Sequence, residues 1–302
     1  MKGSSLRGVV LALCAGVFWG LSGTVGQYLF TRKGVDAGVL TVIRMLGAGV
    51  VLLGLAAIKH DAGLTAVWKK KNDAVRLVLF SLCGLMTVQY TYMAAIAHSN
   101  SGTATALQYL GQAFILLATC VMYRCLPRAR ELGGLGLATV GALLLVTHGR
   151  PGALAITPAA LMWGLSSAAA VMVYTLSPGH LMADYGSRVV TGYGMLLGGA
   201  VLCLVVRPWR IGLTLDGQTL AALALIVLVG TAAAFAMYLQ AVSDIGGVRT
   251  GLLSCTEMLS APLISHFWLG TDFTAPDLAG FVFMVAMVFL LSAPSKARTK
   301  AA

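Results

Sequence analysis

Apolar residues dominate this chain in long runs, and polar residues gather in the short gaps between them. Ten runs stand out: Gly8–Phe30, Gly38–Ile58, Ala74–Ala97, Ser101–Tyr123, Glu131–Thr147, Ala153–Leu176, Tyr185–Val206, Gln218–Ala241, Gly247–Leu269 and Pro276–Ser292. They lie near the roughly 20 residues that carry an α-helix across a ~30 Å hydrocarbon core. They are too long for barrel strands and lack the period-two alternation of such strands. The pattern predicts an all-α integral membrane protein of ten transmembrane helices.

Composition supports the same class. The 302 residues are 58% hydrophobic and 10% charged, with a mean hydropathy of +0.87. Soluble domains carry about 25% charged residues, because their surface must be solvated. A water-soluble enzyme is thereby excluded, and little chain remains outside the bilayer. The net charge of +11 forms no aromatic-interleaved basic patch, so no nucleic-acid partner is expected. Instead, fourteen of the 21 Lys and Arg residues fall on the side of the N-terminus, five on the other, and Arg44 and Arg188 within helices. By the positive-inside rule both termini are cytoplasmic, in the cytoplasmic (inner) membrane. The start, Met1 to Arg7 before an apolar run, imitates a signal peptide but lacks a small-x-small cleavage site, so it reads as an uncleaved first helix.

Chemistry-bearing motifs are few. Cys14, Cys83, Cys120, Cys125, Cys203 and Cys255 have no zinc or redox spacing and read as small hydrophobes. Gly133, Gly134 and Gly136 lie within an apolar helix and make no phosphate loop. Neither HExxH, GxSxG nor a P-loop lysine occurs. No catalytic residue, metal or cofactor is expected. The expected partners are a small-molecule substrate, the bilayer and, as a candidate coupling ion, the proton, with a monomer and a homodimer both open.

The two halves, 1–150 and 151–302, resemble each other. Phe18-Trp19-Gly20-Leu21-Ser22 returns as Met162-Trp163-Gly164-Leu165-Ser166, and Arg44 returns as Arg188 at the same offset. Glu131-Leu132-Gly133-Gly134 matches Asp277-Leu278-Ala279-Gly280, and Tyr92 matches Tyr238. Because each half has an odd number of helices, the second enters the membrane upside down. Two inverted five-helix repeats place a binding site near the midplane and suit alternating access.

These landmarks resemble the EamA family of the drug/metabolite transporter superfamily. Leu107-Gln108-Tyr109-Leu110-Gly111-Gln112-Ala113-Phe114 is similar to its fourth helix. Thr256-Glu257-Met258 through Leu269-Gly270-Thr271-Asp272 is similar to its ninth helix and the loop after it. The chain departs from the family pattern where Glu257-Met258 replaces Glu-Pro and Gly270-Thr271-Asp272 replaces Gly-Glu-Arg. The resemblance implies transport of amino acids, other metabolites or drugs, and leaves the substrate open.

Glu257 is the one acidic residue deep within a run. A carboxylate at the bilayer centre costs about 2.5–3.5 kcal/mol on insertion scales, so it needs a partner, a proton or an aqueous cavity. It reads as a coupling or substrate-binding group, with a structural hydrogen-bond acceptor as the alternative. Thr250, Ser254 and Glu257 share one helical face, as do Ser101, Thr105, Gln108 and Gln112. Amides facing lipid would be left unsatisfied, so these stripes read as cavity lining, with interhelical bonding as the alternative for either glutamine. Trp19 with Ser22, and Trp163 with Ser166 and Ser167, are further wall candidates, with helix packing equally open. Tyr109 joins them, while Tyr90, Tyr92, Phe235 and Tyr238 are weaker candidates. Arg44 and Arg188 lie near helix starts, where a long side chain snorkels; they read as anchors or gates, with carboxylate binding as the alternative. His60, His98, His148 and His180 fall in connectors and read as solvated, and His266 is a weak proton-relay candidate. Gly16-x-x-x-Gly20 and Gly194-x-x-x-Gly198 allow close helix approach.

The expected function is secondary transport, most simply export of an amino acid or related metabolite, driven through Glu257 or by the solute's own gradient. A facilitator or importer of a nucleoside, sugar, vitamin or drug-like cation is the near rival. A non-transporting receptor or scaffold is the rival of another class, disfavoured by the polar stripes.

Overall fold

The computed structural model describes residues 2–150, 154–212 and 215–292, and no strand occurs among them. Ala153, at the expected start of the sixth run, and the basic Lys296, Arg298 and Lys300 lie outside the described residues. The helices are, in chain order, α1 (Lys2–Lys33), α2 (Ala37–Ile58), the short α3 (Gly63–Lys69), α4 (Lys71–His98), α5 (Ser101–Met122), α6 (Ala129–Thr147), α7 (Pro158–Leu176), the short α8 (Gly179–Tyr185), α9 (Ser187–Val206), α10 (Gly217–Ile245), α11 (Gly247–Leu253), α12 (Thr256–Leu269) and α13 (Ala275–Ser292).

Eight of these, α1, α2, α4 to α7, α9 and α10, are long and apolar enough to cross a membrane. The chain is thus an all-helical integral membrane protein. The expected ten continuous spans are not all met. The apolar stretch of α13, Ala275–Leu291, falls short of the other spans, and the run Gly247–Leu269 is broken into α11 and α12 by a turn at Ser254 and Cys255.

Local chemistry fixes the helix starts. Asp36 Oδ1 accepts from the Gly38 and Val39 amides at 2.8 and 3.1 Å, and Asn100 Oδ1 accepts from Thr103 N at 2.8 Å, each an N-cap. Asp216 caps α10 through Thr219 N at 2.7 Å and receives the Lys33 ammonium at 2.6 Å. The Lys33 contact, helped by Thr219, holds the Asp216 carboxyl well below the usual carboxylate range. The matched acids Glu131 and Asp277 do the same job in the two halves. Glu131 accepts from Arg128 N and Asp277 from Thr274 N, both at 2.8 Å, the backward arm of a capping box. Asp277 is also paired with His148, so that histidine is partnered rather than simply solvated.

Irregularities recur in matched places. The third long helix of each half contains a π-helical stretch, Phe80–Met86 in α4 and Leu228–Ala233 in α10. Beside each, a threonine hydroxyl reaches a carbonyl five residues back: Thr87 to Leu82 O at 2.9 Å and Thr231 to Ile226 O at 2.8 Å. The next helix of each half is interrupted, at Leu110 in α5 and at Ser254–Cys255 between α11 and α12. Such irregular turns are expensive in a membrane unless protein or a cavity satisfies them.

Packing follows the same symmetry. α2 packs along α9, and α6 along α13; α4 and α5 both pack on α7, as α10 and α12 both pack on α1. Glycines permit the closest approaches. A Cβ on Gly16 would lie 2.5 Å from the Ser254 carbonyl, and one on Gly20 2.8 Å from Ala261 N. On α9, a Cβ on Gly198 would lie 2.9 Å from the Ser81 carbonyl in the α4 π stretch. Both glycine pairs read from the sequence therefore serve close helix contact.

Candidate functional site

The two helix interruptions flank one cavity of about 220 Å³ near the middle of the bundle. Gln108, Tyr109 and Gln112 reach it from around the Leu110 break, and Gly251, Ser254 and Glu257 from around the second break. The lining spans mid-depth, with Arg44, Gln89 and Tyr92 on its far side, and extends toward the end of the bundle that carries Arg7, Lys59 and Lys69–Lys71, here termed the basic end. There the lining reaches the exposed Thr175 in the last turn of α7.

Glu257 stands in the first turn of α12 and is only 7% exposed. The break puts it at a helix N-terminus, where the backbone dipole favours a negative group. Its carboxylate accepts from two tyrosines of the first half: Tyr92 to Oε1 and Tyr109 to Oε2, each at 3.4 Å. Tyr92 Oη also lies 2.8 Å from Thr105 Oγ1, and Tyr109 Oη 3.4 Å from the Ser254 carbonyl. The tyrosine contacts to the carboxylate are long for O–H···O bonds and leave its oxygens able to take a stronger donor.

Arg44 lines the same cavity. It is 3% exposed, and its buried Nε and Nη1 have no hydrogen-bond partner among the described residues. A snorkelling side chain would end at the interface, so the interfacial-anchor reading of Arg44 does not hold. It stands two turns from a helix start in the sequence, but α4, α9 and α10 all pack on α2, and the side chain is buried beside the cavity. Arg188 is different: its Nη1 donates to Asp61 Oδ2 at 2.8 Å, half-buried at the basic end and away from the cavity.

Trp19 contributes an aromatic wall with Phe235 and Tyr238, at ring-centroid distances of 5.3 and 5.2 Å. Of the other candidates, Gln108 faces the cavity while its Nε2 donates to Ser167 Oγ at 2.8 Å, so it both lines and bridges. Trp163 is not part of the lining and packs edge-on against Tyr90 at 5.6 Å. Ser22 is buried against Gly230, and Ser166 also stands outside the lining. Ser101 and Thr105, in the expected stripe, are fully buried in helix contacts. Gln89, buried on α4 and lining the cavity, escaped the sequence reading. The rule applied to Gln108, that an amide at membrane depth needs a polar surrounding, would have found it.

The opposite end is closed by a hydrogen-bonded plug. Gln27 Oε1 accepts from Ser101 N at 2.8 Å and Ser265 Oγ at 2.9 Å, while its Nε2 donates to Thr271 Oγ1 at 3.0 Å. Thr24 Oγ1 adds contacts to Ser101 Oγ at 3.2 Å and the Ala261 carbonyl at 3.3 Å. One glutamine thus joins α1, α5, α12 and the turn after it.

The sequence profile of the EamA-like transporter family matches residues 6–147 and again 152–293. An uncharacterized inner membrane transporter of Salmonella typhimurium (strain LT2), YicL, is 36% identical over 300 residues, covering 99% of this chain and 100% of the relative. An uncharacterized transporter of Bacillus subtilis (strain 168), YwfM, is 24% identical over 302 residues, covering 99% and 98%. A crystal structure of a protein only 15% identical superposes with a TM-score of 0.65 over 96% of each chain, a likeness of fold alone.

Proposed function

The chain belongs to the EamA-like transporter family, and from that premise we propose that it is a secondary transporter that exports a small organic metabolite, an amino acid or related compound, by alternating access. It does so in the inner membrane, the location named for its Salmonella relative, with both termini cytoplasmic. Its segments then act as ten spans in two inverted repeats, with α11 and α12 together forming one broken span.

The observation that carries this reading is Glu257 at a helix break, in a cavity shared by both halves and held by tyrosines from the other half. Discontinuous helices meeting at mid-depth are how inverted-repeat transporters build their sites. With the basic end cytoplasmic, the cavity faces inward and the Gln27 plug closes the outside. Glu257 is the one acid in the lining. One carboxylate cannot hold a proton and a substrate ammonium together, so loading either displaces the other, which links outward solute movement to inward proton movement.

The test is charge movement in proteoliposomes on a solid-supported membrane, with amino acids, amines, nucleosides and sugars as the panel. A current for one class that vanishes in Glu257→Gln supports proton-coupled transport. A current that survives assigns Glu257 to structure. Silence, followed by absent radiolabelled counterflow, would overturn transport for these classes.

A further inference from the structure

The cavity holds a base and an acid that form no ion pair with each other. Arg44 and Glu257 both line it, yet no ion pair within 4.0 Å joins them. Glu257 is already engaged by Tyr92 and Tyr109. Arg44 is not engaged at Nε or Nη1, although both atoms are buried. A guanidinium is a planar fork of donors with no acceptor of its own, so only an incoming acceptor satisfies it. Nε and Nη1 each share one edge of that fork with Nη2, for which no hydrogen bond occurs among the described residues either, and a carboxylate is the group whose two oxygens match such an edge. Burying donors in this way without a partner is costly, and a bound carboxylate removes the cost.

Across the same space, Glu257 offers an acceptor to a cation, and Trp19, Phe235 and Tyr238 offer an apolar wall. The volume of about 220 Å³ equals about seven waters at ~30 Å³ each. It lies below the ~300–1,000 Å³ of drug-sized pockets, a volume that suits a compact metabolite. We propose that Arg44 is the carboxylate-binding residue of this cavity, and that the solute is a zwitterion carrying its carboxylate to Arg44, its ammonium to Glu257 and an apolar side chain to the aromatic wall. This rests on the transporter reading for its physiological meaning, but binding itself does not require transport.

Calorimetric titration of the purified full-length protein with L-phenylalanine, phenethylamine and 3-phenylpropanoate tests it, since the last two lack the carboxylate and the ammonium respectively. Wild type is expected to bind L-phenylalanine at least about tenfold more tightly than either analogue, the size of one lost charged hydrogen bond. Arg44→Gln is expected to abolish the preference over phenethylamine while keeping that over 3-phenylpropanoate. Arg44→Lys, which keeps the charge without the fork, should retain part of the preference, and the wild-type comparison stands even if neither variant folds. Equal binding of either analogue by wild type, no binding of any of the three, or an unchanged preference in folded Arg44→Gln would each overturn the proposal. Radiolabelled L-phenylalanine counterflow separates the two readings. Binding without flux leaves the Arg44 assignment standing and overturns transport. Flux of solutes lacking either charged group overturns the Arg44 assignment and leaves transport standing.

Discussion

The Thr256 hydroxyl donates to the Leu13 carbonyl across 3.0 Å, fastening the first turn of α12 to α1. Glu257 is the next residue, so this contact and the glycines beside it set where the carboxylate stands. The helix break, the close approach of α1 and the position of the acid are one arrangement, built from residues of both halves.

That arrangement makes Gly16 and Gly20 sensitive. Gly16→Val and Gly20→Val push against backbone atoms of the broken helix that cannot move aside. Each is expected to destabilise by about 1–3 kcal/mol, the usual range for overpacking, read as a lower unfolding temperature in detergent. Gly54→Ala, where nothing lies within 4 Å of the added Cβ, serves as the control and is expected to be neutral or slightly stabilising. Equal effects at the three sites would contradict the close-approach role.

The tyrosines come next. Tyr92→Phe and Tyr109→Phe each remove one donor to Glu257 and keep the ring. Because both bonds are long, each single change is expected to alter apparent solute affinity by only about two- to tenfold, below the upper range for charged hydrogen bonds. The double variant should exceed the product of the two singles, since it strips the carboxylate of both donors. Dose–response of transport currents would show this, and strict additivity would mean that the two tyrosines act independently of each other.

Much of this site was legible in the sequence because membrane depth makes polar chemistry conspicuous. Glu257, Gln108, Gln112 and Ser254 were singled out by that rule and Trp19 by the repeated Trp-Gly motif, and all of them line the cavity, as does Tyr109. Arg44 was misread as an interfacial anchor because distance from a helix start is not distance from solvent; α4, α9 and α10 all pack on its helix. Trp163 shares a motif with Trp19, yet packs on Tyr90, since a repeat in sequence fixes backbone placement and leaves the facing side chains free to differ. The interruption at Ser254–Cys255 was hidden because no proline or glycine marks those two positions. Its causes are tertiary: the Thr256–Leu13 bond and the close approach at Gly16.

Gln27 is expected to control the closed end. Gln27→Leu leaves Ser101 N and the Ser265 and Thr271 hydroxyls without their shared partner, and a buried donor left unsatisfied costs about 1–3 kcal/mol. The equilibrium should shift toward opening at that end, seen as faster hydrogen exchange of amides 101–109 with exchange in α6 unchanged. Unchanged exchange at 101–109 would show that the plug is held by apolar packing.

The Lys33–Asp216 pair predicts a pH effect of stated sign. The folded-state carboxyl of Asp216 is held below its ordinary value, so its stabilisation is present above the ordinary carboxylate range and is lost as pH falls through the lowered folded value. Asp216→Asn is expected to unfold at a lower temperature than wild type near neutral pH, with the gap closing as pH falls through and below that range. The carboxylate is half exposed, so the difference should be small and should shrink with added salt. A gap that persists at acid pH would contradict a charge-based origin of the stabilisation.

The most direct test of alternating access is two-sided labelling of Gln112→Cys, in a background without the six native cysteines, using a membrane-impermeant thiol reagent on oriented vesicles. Gln112 lines the cavity next to the Leu110 break. Labelling is expected from the cytoplasmic face in the resting protein, and from the opposite face when Gln27→Leu is added. A cysteine that reacts from neither face, or from the same face in both backgrounds, would contradict a cavity that opens alternately to the two sides.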